Sequence, residues 1–298
     1  MRWLIKNPAP ANDYRFKWGD YWFCRSLCKA LHARGHEAQV QYHTNWQDSA
    51  YSDIVLVLRG LYRYQKTSSN RQALHILWVI SHPEDISDEE VEDYDLVCVA
   101  SALHAEKLSE RHPGKILTLW QCTDTEVFFP PPKNQPDSRR GIIFIGNSRG
   151  QKRPIVAEVA ERLPGLELIG FGWDTSGLER HLTLETLPNP KLGDVYRSAR
   201  ITLNDHWPDM REYGYVNNRI FDALACGLPV LTDHHPGLSG LIDTGCSIIQ
   251  AEDGVFGQAL IEMLLDYPAL LAGARQSAAF VRAKHSFLHR VVELEAAL

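Results

Sequence analysis

Two doubly wound α/β halves facing each other across a cleft are what this sequence should fold into, on three grounds. Short apolar runs bounded by turn residues alternate with helix-period patterns along the whole chain, as β-α-β units and parallel sheets require. A proline-rich polar stretch at Phe129–Arg140 (FPPPKNQPDSRR) interrupts the alternation, and consecutive prolines permit neither helix nor sheet ladder, so it reads as an exposed hinge. With 298 residues, 44% hydrophobic and 23% charged, the chain suffices for two domains of ordinary size. The expected domains are 1–132 and 133–298, with the last helix free to pack back on the first.

In the first half, strands are expected at Arg2–Lys6, Glu37–Tyr42, Asp53–Leu58, Leu74–Ile80, Leu96–Ala100 and Ile116–Leu119. Between the first two, GDYWFCRSLCKALHARGH keeps Phe23, Leu27 and Leu31 at helical spacing, and Gly35 supplies the stop. The second half restarts with a strand at Gly141–Ile145, a helix over Pro154–Leu163 and a strand at Leu166–Gly170. A helix around Lys191–Ala199, a strand at Arg200–Asn204, a helix at Arg219–Cys226 and strands at Pro229–Thr232 and Ser247–Gln250 follow. Long amphipathic helices close the chain. Ligands of such sheets gather at the carboxyl ends of the strands.

A net charge of −6 gives no electrostatic case for a nucleic-acid partner, which would need a basic surplus or stripe. The opening run MRWLIKNPAP reads as a strand and not a secretion signal, and no apolar stretch approaches bilayer length, so a cytoplasmic location is expected. The compact length leaves room for a partner protein, a peripheral membrane association or a larger parent polypeptide. The six cysteines form no C-x-x-C pair; Cys24 and Cys28, four apart on the predicted helix, read as packing. TDHHPG at Thr232–Gly237 has the Asp-His-His triplet of one class of metal-dependent phosphoesterase, but lacks the further aspartates such a cluster needs. No metal site is expected.

Two stretches carry candidate chemistry. In IIFIGNSRGQKRP (Ile142–Pro154) an apolar strand ends in a turn with Gly146, Asn147, Arg149, Lys152 and Arg153 before the next helix opens. Backbone N–H groups, a helix N-terminus and cations together suit a diphosphate; a solvated surface turn is the alternative. In EYGYVNNRIFDALACG (Glu212–Gly227), Glu212, Tyr215, Asn217 and Asn218 lead into Arg219 at a helix start, a second anion site. Asp222, one turn further in, can accept two hydrogen bonds from a ribose diol, or can simply suit the helix dipole. In the first half, His82 follows the strand ILWVI and points toward the cleft, unless it is a structural histidine beside Pro83. Asp20 opens the first long helix, where it is either a base for an acceptor hydroxyl or an N-cap.

These stretches, with LELIGFGW, VYRSARITLN, YGYVNNRIFDALACGLPVLTD and KHSFLHR in the same order, resemble the nucleotide-binding domain of GT-B glycosyltransferases, especially the spore-maturation CgeB-like group of glycosyltransferase family 1 proteins. The likeness runs from about Arg140 to the end; the first half resembles the acceptor domain more loosely, through WGDYWFCRSLCKALHARGHEAQV and ILWVISHPEDIS. It implies two Rossmann-like domains and transfer of a sugar from a UDP-, GDP- or dTDP-linked donor to a hydroxyl acceptor on a glycan or glycoconjugate. Transfer is expected to be metal-independent and retaining, without a resident cofactor. The diphosphate contacts fall on Arg149 and Lys152, the ribose contact on Asp222, and a donor-sugar contact on His82. Of the glutamate pair spaced eight apart in many retaining members, the second position is Asp222; the first is Gly214, with Glu212 two residues away. Alternatives are a GT-B-like epimerase or phosphorylase, or a non-catalytic sugar-nucleotide-binding subunit.

Overall fold

A computed structural model describes residues 1–132, 138–148, 150, 153–174 and 177–298. The chain divides into two compact units. The first holds Met1–Cys122, Pro208–Val216 and Phe287–Leu298; the second holds Thr123–Trp207 and Asn217–Ser286. Composition had set the division at 132/133, at the prolines. The packing sets it ten residues earlier, because Phe128 is buried and the buried Arg139 donates to the carbonyls of Cys226 and Gly227 in the second unit. Residues 133–137 of the expected hinge lie outside the described set.

The first unit is a parallel sheet of β1 (Arg2–Asn7), β2 (Glu37–Tyr42), β3 (Ile54–Arg59), β4 (Leu74–Val79), β5 (Leu96–Val99) and β6 (Ile116–Thr118), in the order β2-β1-β3-β4-β5-β6. Its helices are α1 (Gly19–Ala33), α2 (Asp88–Glu92), α3 (Ala102–Arg111), α6 (Pro208–Glu212) and α11 (Phe287–Ala296). Phe23, Leu27 and Leu31 of α1 meet Trp3 and Ile5 of β1 in one core, which Phe287, Val291 and Leu294 of α11 complete. The Phe23 and Phe287 rings stand edge to face at 4.7 Å. Each such side chain, fully buried, contributes about 1.5–3 kcal/mol, so this core binds the two chain ends firmly. Gly35, at φ +78°, ends α1 as expected: its N–H donates to His32 O and that of His36 to Leu31 O.

The second unit is also a six-stranded parallel sheet, of β7 (Ile142–Ile145), β8 (Leu166–Ile169), β9 (Leu182–Leu184), β10 (Ile201–Asn204), β11 (Val230–Asp233) and β12 (Ile248–Ala251), in the order β12-β11-β10-β7-β8-β9. Its helices are α4 (Pro154–Arg162), α5 (Asn189–Ser198), α7 (Asn218–Ala225), α8 (Ser239–Ile242), α9 (Phe256–Leu265) and α10 (Tyr267–Lys284). Phe144, Val159, Leu168, Leu203 and Leu260 build its core. Strand β9 escaped the sequence reading because it is an edge strand of three residues, with Leu184 exposed, too short for its Leu-Thr-Leu alternation to stand out. Among the described residues, no helix is long and apolar enough to cross a membrane.

Candidate functional site

The carboxyl end of the first sheet gathers the two residues expected to act in catalysis. Gly60 follows β3, Ser81 and His82 follow β4, and Asp20 lies in the first turn of α1. A Cβ built on Gly60 would sit 3.6 Å from Ser81 Oγ, 3.7 Å from Pro8 Cγ and 3.8 Å from Asp20 Oδ1, so these groups surround the same glycine at ordinary contact distance. His82 Nδ1 lies 3.0 Å from Ser81 Oγ. His82 is also the one non-glycine residue with positive φ among the described residues, at φ 53° and ψ 53°. A β-carbon in that region costs about 1–2 kcal/mol, strain that an ordinary surface turn would shed. Asp20 is not the N-cap of α1. Trp18 holds that position, and the Asp20 carbonyl accepts from Asn7 Nδ2 at 2.8 Å.

The stretch Glu212–Gly227, read above as a single site, is shared between the units. Glu212 ends α6 in the first unit and is exposed. Gly214 turns the chain at φ +76°, and Ser101 Oγ at the start of α3 donates to Tyr213 O at 2.6 Å. Tyr215 is fully buried, its hydroxyl 2.8 Å from His104 Nδ1. Burial, with Lys107 and Arg111 nearby, lowers the His104 pKa to about 4, so its neutral ring is the partner of the tyrosine. Tyr215 is therefore a packing residue of the first unit, against the expectation that it contacts a nucleotide.

Asn217, Asn218, Arg219 and Asp222 belong to the second unit, where Arg219 meets the turn after β7. The turn is stitched to β8. Gly146 N donates to Ile169 O at 2.8 Å, Trp173 Nε1 donates to Gly146 O at 2.9 Å, and Asn147 Oδ1 accepts from Phe171 N at 3.2 Å. Arg149 and Lys152 lie outside the described residues. The neighbouring Arg153 is described: it donates to both carboxylate oxygens of Asp205 at 2.7 and 2.6 Å and to Asn147 O at 2.7 Å.

Asp205, directly after β10, is the hub that the sequence reading missed. Its carboxylate also receives Arg219 at 3.4 Å, while its carbonyl accepts from Arg219 at 2.8 Å and Asn217 Nδ2 at 3.0 Å. Arg219 reaches Ile145 O as well, at 3.1 Å, and keeps 25% of its side chain exposed. Both guanidinium groups lie about as far from the Phe144 ring, at 5.3 and 5.4 Å. Two cations facing one carboxylate leave a surplus positive charge where β7 and β10 end. The first turn of α7 stands at the same place, and the side chain of its N-cap residue, Asn217, makes no capping hydrogen bond. The buried Asn217 Oδ1 has no hydrogen-bond partner among the described residues.

Asp222 is less open than expected, at 5% exposure. Thr123 Oγ1 donates to its Oδ1 at 2.7 Å and Asn218 Nδ2 to its Oδ2 at 3.2 Å. Burial lifts its pKa to about 8 in spite of these bonds, so it is a neutral acid at pH 7. In TDHHPG, Asp233 is taken up by His206, whose Nδ1 lies 2.8 Å and backbone N 3.0 Å away, and the His206 and His235 rings lie 4.1 Å apart. Among the described residues, no three His, Cys, Asp or Glu side chains come together as a metal site. Asp93-Tyr94-Asp95 has the Asp-x-Asp spacing of metal-dependent transferases, but it stands at the amino end of β5. There Asp93 pairs with Arg63 at 2.8 Å and Asp95 accepts from His75 N at 2.8 Å.

Residues 149–296 match the glycosyl transferase-like family model. No curated protein matches the chain in sequence. In fold it is similar to HepE from Anabaena, solved in complex with UDP-glucose, with TM-score 0.71, 11% identity and 100% of both chains covered. It is also similar to sucrose-phosphate synthase from Thermosynechococcus elongatus, with TM-score 0.67, 12% identity, and 99% of this chain and 98% of that one covered. The catalytic domain of starch synthase IV from Arabidopsis thaliana, bound to ADP and acarbose, gives TM-score 0.66 at 10% identity, with 99% and 98% covered. With two parallel six-stranded units and a glycosyl transferase-like domain over its second half, the chain is a glycosyltransferase of the GT-B fold.

Proposed function

We propose that this glycosyltransferase uses a UDP-, GDP- or dTDP-linked sugar as donor and a hydroxyl group of a glycan or glycoconjugate as acceptor, with no metal or resident cofactor. The observation that carries the reading is the two-arginine cluster on Asp205 beside the start of α7. A nucleoside diphosphate leaving the sugar carries growing negative charge. Fixed guanidinium groups and helix amides stabilise it without reorganising, so the anomeric carbon gains oxocarbenium character and a hydroxyl attacks it. Solved relatives in the same fold hold UDP-glucose or ADP, which supports a nucleotide-linked donor.

Retention of configuration is the outcome we assign, following the family resemblance. The placement of Asp20 beside Gly60 and Ser81 supports a second reading, in which Asp20 deprotonates the acceptor and the anomer inverts. NMR of the product anomer separates the two. For the donor, thermal shift with a panel of UDP-, GDP- and dTDP-sugars should identify one that raises the melting temperature. Arg219→Ala should abolish that shift together with slow donor hydrolysis. A panel without any stabilising member would end the proposal, and binding without turnover would make the chain a sensor.

A further inference from the structure

We propose that the first unit carries a glycan-binding platform, a row of aromatic rings formed by Phe16, Tyr21, Tyr42, His43 and Tyr62 that holds an acceptor of at least two linked sugars. The inference deepens the acceptor half of the function proposed above and rests on it. Phe16 and Tyr21 meet edge to face at 5.1 Å, and Tyr21 stacks on Tyr42 at 6.3 Å and 22°. His43 is the next residue, and its ring stacks on Tyr62 at 3.8 Å and 21°. The group of three rings and the pair are joined through the Tyr42–His43 backbone, and together they extend beyond a single monosaccharide.

The row is both exposed and fixed. Phe16 is 44% exposed and Tyr62 37%, so apolar ring surface stays in water, at a cost that a bound partner would relieve. Below it, buried Trp46 touches His43 at 5.0 Å and Tyr62 at 6.5 Å. Trp46 donates through Nε1 to Asn7 O at 2.9 Å and accepts at its carbonyl from buried Lys6 Nζ at 2.5 Å. At the other end, Trp22 Nε1 donates to Phe16 O at 3.0 Å, and the Arg15 guanidinium lies 5.0, 5.8 and 5.3 Å from the Phe16, Tyr21 and Tyr42 centroids. Such preorganised rings lose little freedom on binding.

Position and charge select the occupant. Tyr21 follows Asp20, and Tyr62 comes two residues after Gly60, so the row passes the cluster where we place the attacked hydroxyl. Sugar rings lay C–H faces on aromatic faces while their hydroxyls seek polar partners of both kinds. The segment supplies both: Asp13, Arg15, Lys17 and Asp20 bring two charges of each sign, which suits hydroxyls and gives an anionic bilayer no net attraction.

An array of oligosaccharides of two to six hexoses, α- and β-linked, tests the idea against wild type, Tyr62→Ala, Phe16→Ala and Tyr62→Phe without donor. Wild type and Tyr62→Phe should retain at least one oligosaccharide, and each alanine variant should bind it about fivefold to tenfold more weakly, the effect of one lost ring contact. The donor-induced thermal shift should be unchanged in all four, which separates this proposal from the donor reading. Absence of any array binding by folded wild type, binding indifferent to both alanine variants, or binding to phosphatidylglycerol vesicles in place of sugars would overturn it.

Discussion

Replacing Asp222 by Asn should stabilise the protein near neutrality and make its stability less dependent on pH. Asp222 is buried, and burial lifts its pKa from the ordinary carboxylate value of 3.8 to about 8. In the unfolded chain the group ionises above about pH 4. In the folded chain it stays protonated until about pH 8. Across that window the unfolded state therefore binds fewer protons, and stability falls as pH rises. At 1.36 kcal/mol per unit, the roughly three units between pH 4 and pH 7 set a ceiling of about 4 kcal/mol. Asparagine keeps the oxygen that accepts from Thr123 and carries no charge to desolvate. Its amide meets Asn218 Nδ2, and Asn218 must turn its own carbonyl inward to avoid an unsatisfied donor costing about 1–3 kcal/mol. Melting curves of both proteins at pH 4.5, 6 and 7.5 should show the difference widening with pH in favour of Asp222→Asn, at roughly 2 °C per kcal/mol. A constant or narrowing difference would mean that Asp222 is already ionised in the fold, and the argument from burial would fail.

Other substitutions test other parts of the molecule. Gly170→Ala places a methyl group 2.2 Å from Gly146 O at a backbone φ of +146°, whereas Gly165 has nothing within 4 Å. Denaturant titration should show a loss of about 3 kcal/mol or more for the first and less than about 1 for Gly165→Ala. His82→Gly removes the positive-φ strain, so it should gain about 1 kcal/mol of stability while sugar transfer falls, and His82→Ala should lose transfer without that gain. Asp205→Ala leaves the largely covered Arg153 without its carboxylate; it should cost about 2–3 kcal/mol on unfolding. The milder Asp205→Asn should still fold and should raise the KM for donor more than it changes kcat.

Much of the fold was legible because the signals are local. Eleven of the strands follow apolar runs bounded by turn residues, and α1 follows the four-residue spacing of Phe23, Leu27 and Leu31 with Gly35 as its stop. The twelfth strand, β9, carries no such pattern, since its pairing with β8 comes from tertiary context alone. The site was legible only in outline. Gly146, Asn147, Asn217 and Arg219 lie together at the strand ends, yet the residue that joins Arg153 and Arg219 is Asp205, whose importance depends on contacts 52 and 14 residues away. Its one local signal is its place directly after a strand, where polar residues face ligands in such sheets. The transfer of Tyr215 to the first unit was invisible because burial against His104 is a long-range event, 111 residues apart in sequence.

The chain path across the two units limits how the protein can be divided. Cutting at the prolines would give an amino-terminal piece lacking Phe287, Val291 and Leu294, so that Phe23 and Leu27 would face solvent where α11 belongs. The other piece would carry that helix and Pro208–Val216 with nothing to bury them against. Each fragment would be aggregation-prone alone, and co-expression of the pair, with α11 closing the core in trans, is the form in which the halves would regain order.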